Sequence, residues 1–158
     1  MHIAEGVLSA PVLITGAVVA AGAVAYGLKK LDPRQVMMAA ILGAAFFVAS
    51  LIHIPVGPSS VHLLLNGLLG VLLGWSAVPV IFVGLLLQAI LYGFGGLTVL
   101  GVNTATMGLG AVLSWYIFGG LLSVLKPLGA KKAAAVSGFV SGACGVAIAA
   151  VLTALALA

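Results

Sequence analysis

VLSAPVLITGAVVAAGAVAYGLKK, residues 7–30, is the stretch on which the fold turns. From Val7 to Leu28 it carries no charged side chain, and Lys29 and Lys30 follow at once. A helix of about 20 apolar residues crosses a hydrocarbon core of about 30 Å, so this run is long enough to span a bilayer. A cleavable signal peptide has its basic residues before the apolar region, whereas here they come after it. The segment is therefore expected to stay attached, with Met1 outside and Lys29 in the cytoplasm.

The rest of the chain has the same character. Of 158 residues 64% are hydrophobic and only 5% are charged. About a quarter of a soluble domain's residues are charged, so water is the wrong solvent for this surface and lipid the right one. Backbone polar groups in lipid must be satisfied internally, by helices or a closed barrel. The apolar runs are continuous rather than alternating, which excludes a barrel with a polar lumen. The net charge of +4 does not point to nucleic acid. The basic residues Lys29, Lys30, Arg34, Lys126, Lys131 and Lys132 form two short clusters at helix ends, which is a topology signal. Cys144 sits in a small apolar run and reads as a buried structural thiol.

Working outward, about six spans are expected in one transmembrane domain over 1–158. The first loop, Lys29 to Arg34, puts Pro33 in the first turn of the next helix. A second span follows from about Gln35 to Ile52. His53 to His62 contains two prolines and a serine pair and is expected to be an irregular loop. A short third span runs from Val61 to Trp75, with a turn at Trp75, Ser76 and Pro79. A fourth covers Val80 to Phe94, a fifth Ala105 to Leu125 and a sixth Ala133 to Leu157. With Met1 outside, both basic loops fall inside, and residues 1–5, 53–62 and 95–104 fall outside. Without the third span, Lys126 to Lys132 would fall outside as well. Small residues at four-residue spacing, in Ala17, Ala21 and Ala25 or in Gly70 and Gly74, let helices approach closely. They fit either packing within the bundle or docking onto a partner.

Little polar chemistry remains. The two acids, Glu5 and Asp32, both lie outside the expected spans, whereas ion-coupled carriers need an ionisable group in mid-membrane. No phosphate-binding loop, zinc-protease or serine-hydrolase motif is present. An enzyme is not expected, and any energy source must come from another subunit. The three histidines, His2, His53 and His62, all fall on the outer side, and imidazole suits nickel, cobalt, copper and zinc. His2 has a special position. The Met1 amine, the His2 amide nitrogen and the His2 Nδ1 can close two fused chelate rings, and one further imidazole completes a square plane. That geometry favours nickel(II) or copper(II). A bulky second residue should also hinder removal of Met1.

Met-His-Ile-Ala-Glu-Gly at 1–6, the His62 loop and Gly-Gly-Leu-Thr-Val-Leu-Gly-Val-Asn-Thr at 95–104 together resemble the CbiM/NikM family. These are the cobalt- or nickel-binding substrate components of energy-coupling factor transporters. The resemblance implies a square-planar metal cage near the outer surface. Its ligands would be the Met1 amine, the His2 amide and imidazole, and His62. Asn103 and Ser60 would support them, and His53 is the alternative fourth ligand. Many relatives carry Gly-Ser-Cys-Ser-His-Pro-Thr-Gly around the loop histidine, where this chain has Pro58-Ser-Ser-Val-His62-Leu-Leu-Leu-Asn66. Relatives often have a seventh span and a cytoplasmic tail, whereas this chain ends at Ala158 after the sixth.

The resemblance further implies a transmembrane coupling subunit, two cytoplasmic ATPases and a small accessory membrane protein as partners. Ala17, Ala21 and Ala25 are a docking face for them. The chain itself would hold no cofactor, would carry Ni2+ or Co2+ as cargo and would sit in a prokaryotic plasma membrane. A vitamin-binding component of the same transporter class and a stand-alone metal channel are the rival readings. Nickel and cobalt are not separated by the residues.

Overall fold

Eight elements follow from these runs. The structure, a computed structural model, describes residues 3–56, 59–62 and 65–158, and of 53–56 and 59–62 the backbone alone. Helix α1 is Ala10–Lys30, with Pro in its first turn and Lys29 and Lys30 in its last, where cations face the negative end of the helix dipole. A 3-10 turn at Pro33–Gln35 leads into α2, Val36–Leu51, and the Arg34 N–H donates to Asp32 Oδ1 at 2.8 Å. Asp32 is thus a cap, which occupies one of the two acids in a local backbone role.

The segment expected to be an irregular loop is instead an antiparallel hairpin, β1 (His53–Val56) and β2 (Ser59–His62). Ile54, Val56 and Val61 favour strands. A two-stranded ribbon has only edges, so the missing N–H of Pro55 is tolerated there. Next come α3, Asn66–Leu73, and α4, Ala77–Tyr92, joined by a 3-10 turn at Gly74–Ser76. Gly74 has φ 57 and ψ −129, which interrupts the helix. Helix α5 is Leu100–Val124 and α6 is Ala130–Leu157.

The directions of the helices follow from their contacts. Helices α1 and α5 run the same way, because Gly16 meets Val102 while Tyr26, Trp75 and Leu109 line one groove further along. Helix α6 runs against α5, with Gly145 on Gly110 and Ala156 beside Ile3, Val99 and Val102. Helix α3 follows α5, Gly70 on Ala111 and Gly74 on Trp115. Helices α2 and α4 run together the other way, with Gly43 on Val80, Phe46 on Gly84 and Gln88 hydrogen-bonded to Ser50. The two basic loops consequently share one end of the bundle. Ile3, Glu5, the hairpin and the α4–α5 loop share the opposite end.

Five stretches are long and apolar enough to cross a membrane, one of them Asn66–Tyr92 taken whole. That stretch is not one rod, because the chain turns back at Gly74. The span expected from Val61 to Trp75 is helical only from Asn66, and its 8-residue helix rises about 12 Å, less than half a hydrocarbon core. The expected reversal near Trp75 is present, fed by a half-length helix. The fifth helix begins at Leu100 rather than Ala105, so Asn103 lies in a helix and not in the loop where it was expected.

Large apolar side chains face outward along the bundle, Phe139 at 80% exposure and Met37 at 76% among them. A helical bundle with such a surface is a membrane fold. Its interior holds polar side chains that need partners. Ser114, Ser141 and Thr153 bond back to carbonyls four residues earlier in their own helices, at 2.9, 2.6 and 2.8 Å. These bonds satisfy the hydroxyls without spreading the helices.

Candidate functional site

The segment before α1 is held against the start of α5 by a pair of hydrogen bonds. The Ile3 N–H donates to Asn103 Oδ1 at 3.0 Å, and Asn103 Nδ2 donates back to the Ile3 carbonyl at 3.4 Å. A side-chain amide thus mimics one rung of a β ladder. The contact is dry, with Ile3 3% and Asn103 2% exposed, and Val99 and Val102 pack beside Ile3. Helix α5 can present Asn103 here because Gly101 lets it close on α1. A Cβ on Gly101 would stand 2.6 Å from the Ala17 Cα.

Two residues on, Glu5 makes a second attachment. Its Oε1 accepts from the Thr98 N–H at 3.0 Å and from the Thr98 hydroxyl at 3.1 Å. The Thr98 backbone bond, followed by the hydroxyl bond, holds the Glu5 carboxyl below the usual carboxylate range. The loop that offers Thr98 turns on Gly95 and Gly96, with φ 76 and 107. A Cβ on Gly96 would collide with the Glu5 side chain.

At the same end, the hairpin register pairs His53 with His62 and Pro55 with Ser60. Directly opposed residues of an antiparallel ladder have Cα atoms roughly 5 Å apart. Met1 and His2, the first two expected ligands, lie outside the described residues, as do the side chains of His53, Ser60 and His62. Among the described residues no three His, Cys, Asp or Glu side chains cluster as a metal site.

The comparisons with known proteins bear on the whole chain. A family model described as CbiM, cobalt uptake substrate-specific transmembrane region, matches residues 2–158. This chain belongs to the CbiM family. It is 46% identical over 146 residues to a putative metal transport protein of Haemophilus influenzae, covering 92% of this chain and 69% of that one. It is 38% identical over 116 residues to the fused nickel transport protein NikMN of Rhodobacter capsulatus, covering 68% of this chain and 33% of that one. A solved truncated transition metal transporter superposes with TM-score 0.75 at 28% identity, over 99% of this chain and 74% of that one. Against two of the named cobalt transport proteins the chain spans about half their length, 52% and 56%. Membership of the CbiM family makes it a transport component and not an enzyme, a multi-pass protein of the prokaryotic plasma membrane.

The expected site residues fare unequally in this CbiM-family bundle. Asn103 touches the N-terminal segment, from a helix rather than from a loop. His53 and His62 are partners in the backbone register of the ladder, so register favours neither. Ala17, Ala21 and Ala25 are exposed on α1, though Ala17 also packs against Gly101 of α5. Gly96, Thr98 and Glu5 entered the sequence reading only within the 95–104 and 1–6 runs, none of them as a site residue, and Glu5 was noted besides as an acid outside the spans.

Proposed function

We propose that this chain is the substrate-capture membrane subunit of an ATP-driven energy-coupling factor importer for nickel or cobalt. It forms one transmembrane domain. The end bearing Ile3 and the hairpin faces outward, because the opposite end carries every lysine and arginine and basic loops stay in the cytoplasm. A divalent ion is captured there by the Met1 amine, the His2 amide nitrogen and Nδ1, and His62. Four nitrogens in a plane suit nickel(II) or copper(II) better than zinc or calcium, and cobalt enters through the family description. The pair of hydrogen bonds between Ile3 and Asn103 carries this reading. It anchors the residue that directly follows His2 at the end of the bundle where the histidine hairpin lies. Asn103 then supports the ligands without touching the ion.

The partners are a membrane coupling subunit, cytoplasmic ATPases and a small accessory membrane protein, and the exposed Ala17, Ala21 and Ala25 face of α1 suits close helix docking. The fused nickel relative accords with such an assembly. His53 is the second choice for the fourth ligand, and the ladder register that opposes it to His62 favours testing both. A groove of about 510 Å3 among the described residues is walled by Leu28, Val36, Phe47, Val80 and other apolar groups of α1, α2 and α4, and it offers a vitamin few polar partners.

The test is nickel and cobalt retention by purified protein with its native N-terminus. One added residue before Met1 should cost more than the tenfold to hundredfold typical of a supporting residue. His2→Ala and His62→Ala should do the same. Unchanged retention by the extended protein would sink the chelate. Vitamin binding without metal would favour a vitamin component, and ion flux in vesicles lacking the ATPases a channel.

A further inference from the structure

We propose that Glu5 is a positioning residue for the metal-gripping terminus, seated on Thr98 of the α4–α5 loop; this rests on the capture site proposed above. Three observations carry it. Glu5 is one of two acids in the chain, and the other, Asp32, caps a turn at the opposite end. A carboxylate there is not needed for topology, to which acids contribute little. Both Thr98 hydrogen bonds converge on the same carboxylate oxygen, 3.0 and 3.1 Å away. The loop is also shaped around the acid, since a side chain at Gly96 would occupy the space that the Glu5 side chain fills.

The consequence is mechanical. Ile3 is fixed to Asn103 and Glu5 to Thr98, so the chain is held at two points straddling Ala4. A segment held at one point can swivel, whereas one held at two has a set direction. The fused chelate rings that would be built from Met1 and His2 start one residue before the first of these points. Fixing their direction removes orientational freedom that binding would otherwise have to remove, and that gain shows as affinity. Glu5 need not contact the ion for this.

The test uses the full chain with its native N-terminus in detergent, titrated with nickel(II) chloride by calorimetry and by the visible absorption of a square-planar nickel site. Glu5→Ala should weaken nickel about tenfold or more, the worth of hydrogen bonds to a charged group, with the thermal midpoint of the bundle unchanged. Glu5→Gln, whose amide oxygen still accepts from Thr98, should recover most of the affinity. Wild-type affinity in Glu5→Ala would overturn the role. So would a loss of affinity that merely follows a lowered thermal midpoint, which marks a general structural part. If one residue added before Met1 abolishes binding but Glu5→Ala does not, the latch alone falls. If the added residue changes nothing, the chelate and the latch fall together.

Discussion

The seam where α3, α5 and α6 meet and the clamp that holds residues 3–5 are joined by different physics. In the seam, backbone meets backbone. A Cβ on Gly67 would stand 2.8 Å from the Gly142 Cα, and one on Gly110 2.7 Å from the Gly145 carbonyl oxygen. Dispersion over many close atoms holds it together, the main source of cohesion between helices in lipid. In the clamp, four hydrogen bonds hold residues 3–5, two between the Asn103 side chain and the Ile3 backbone and two from Thr98 to the Glu5 carboxylate. The seam tolerates no added atom, and the clamp tolerates no lost acceptor. One sets whether the bundle forms, and the other sets where its first residues lie.

The seam is the more fragile to substitution. At Gly70 an added Cβ would stand 2.8 Å from the Ala111 Cα and closer still to its carbonyl. No rotamer change relieves a contact with backbone, so α3 has to leave α5. Gly70→Ala should cost about 3 kcal/mol, seen as a lowered thermal midpoint or loss of monodisperse protein in detergent. Gly138→Ala, where nothing stands within 4 Å of the new atom, is the contrast and should melt like wild type. Equal behaviour of the two would show that close approach does not hold the seam. Next in size is Asn103→Leu. It leaves the Ile3 N–H and carbonyl buried without their partner, at about 1–3 kcal/mol for each group. The relief is local: residues 3–8 should exchange amide hydrogens faster while α5 and α6 keep their protection. Faster exchange throughout α5 would mean that Asn103 belongs to the seam and not to the clamp.

A helical bundle in lipid was legible in the sequence, whereas which small residues form the seam was not, and the clamp largely was not. Composition alone dictates helices in lipid, and the paired basic loops give their common end. The spacing of Gly70 and Gly74 and that of Ala17, Ala21 and Ala25 look alike as letters. Only the fold separates the packed glycines from the exposed alanines. Helix α3 is shorter than its hydropathy implies because the Val56–Ser59 pairing draws Val61 and His62 into a strand. Gly101 and Asn103 read as loop formers because local propensity favours that. Tertiary contacts with Ala17 and Ile3 override it and start α5 early. Glu5 and Thr98 lie 93 residues apart, and no local pattern links them. The chelate of Met1 and His2 was drawn from the residues themselves, and the choice of His62 as fourth ligand came from likeness to a family.

The smallest effect expected separates the two regions by pH. The Glu5 carboxyl is held below its ordinary range by Thr98, so its charged form is the bound one. A depressed folded-state value means that the latch contributes fully above the unfolded carboxylate value of about 4.3. The contribution fades as pH falls through the lower folded value. Between pH 8 and 5 the clamp should therefore be indifferent to acid, and below about pH 4 it should loosen at Thr98 first. The seam contains no acid and should not respond over the same range. An NMR titration of metal-free protein checks this directly, because the Thr98 amide resonance should move with a midpoint below that of a free glutamate while the Gly110 and Gly145 amides stay still. A midpoint at or above the free value would mean that the carboxylate gains nothing from Thr98. Movement of the seam glycines in step would mean that the two regions are one.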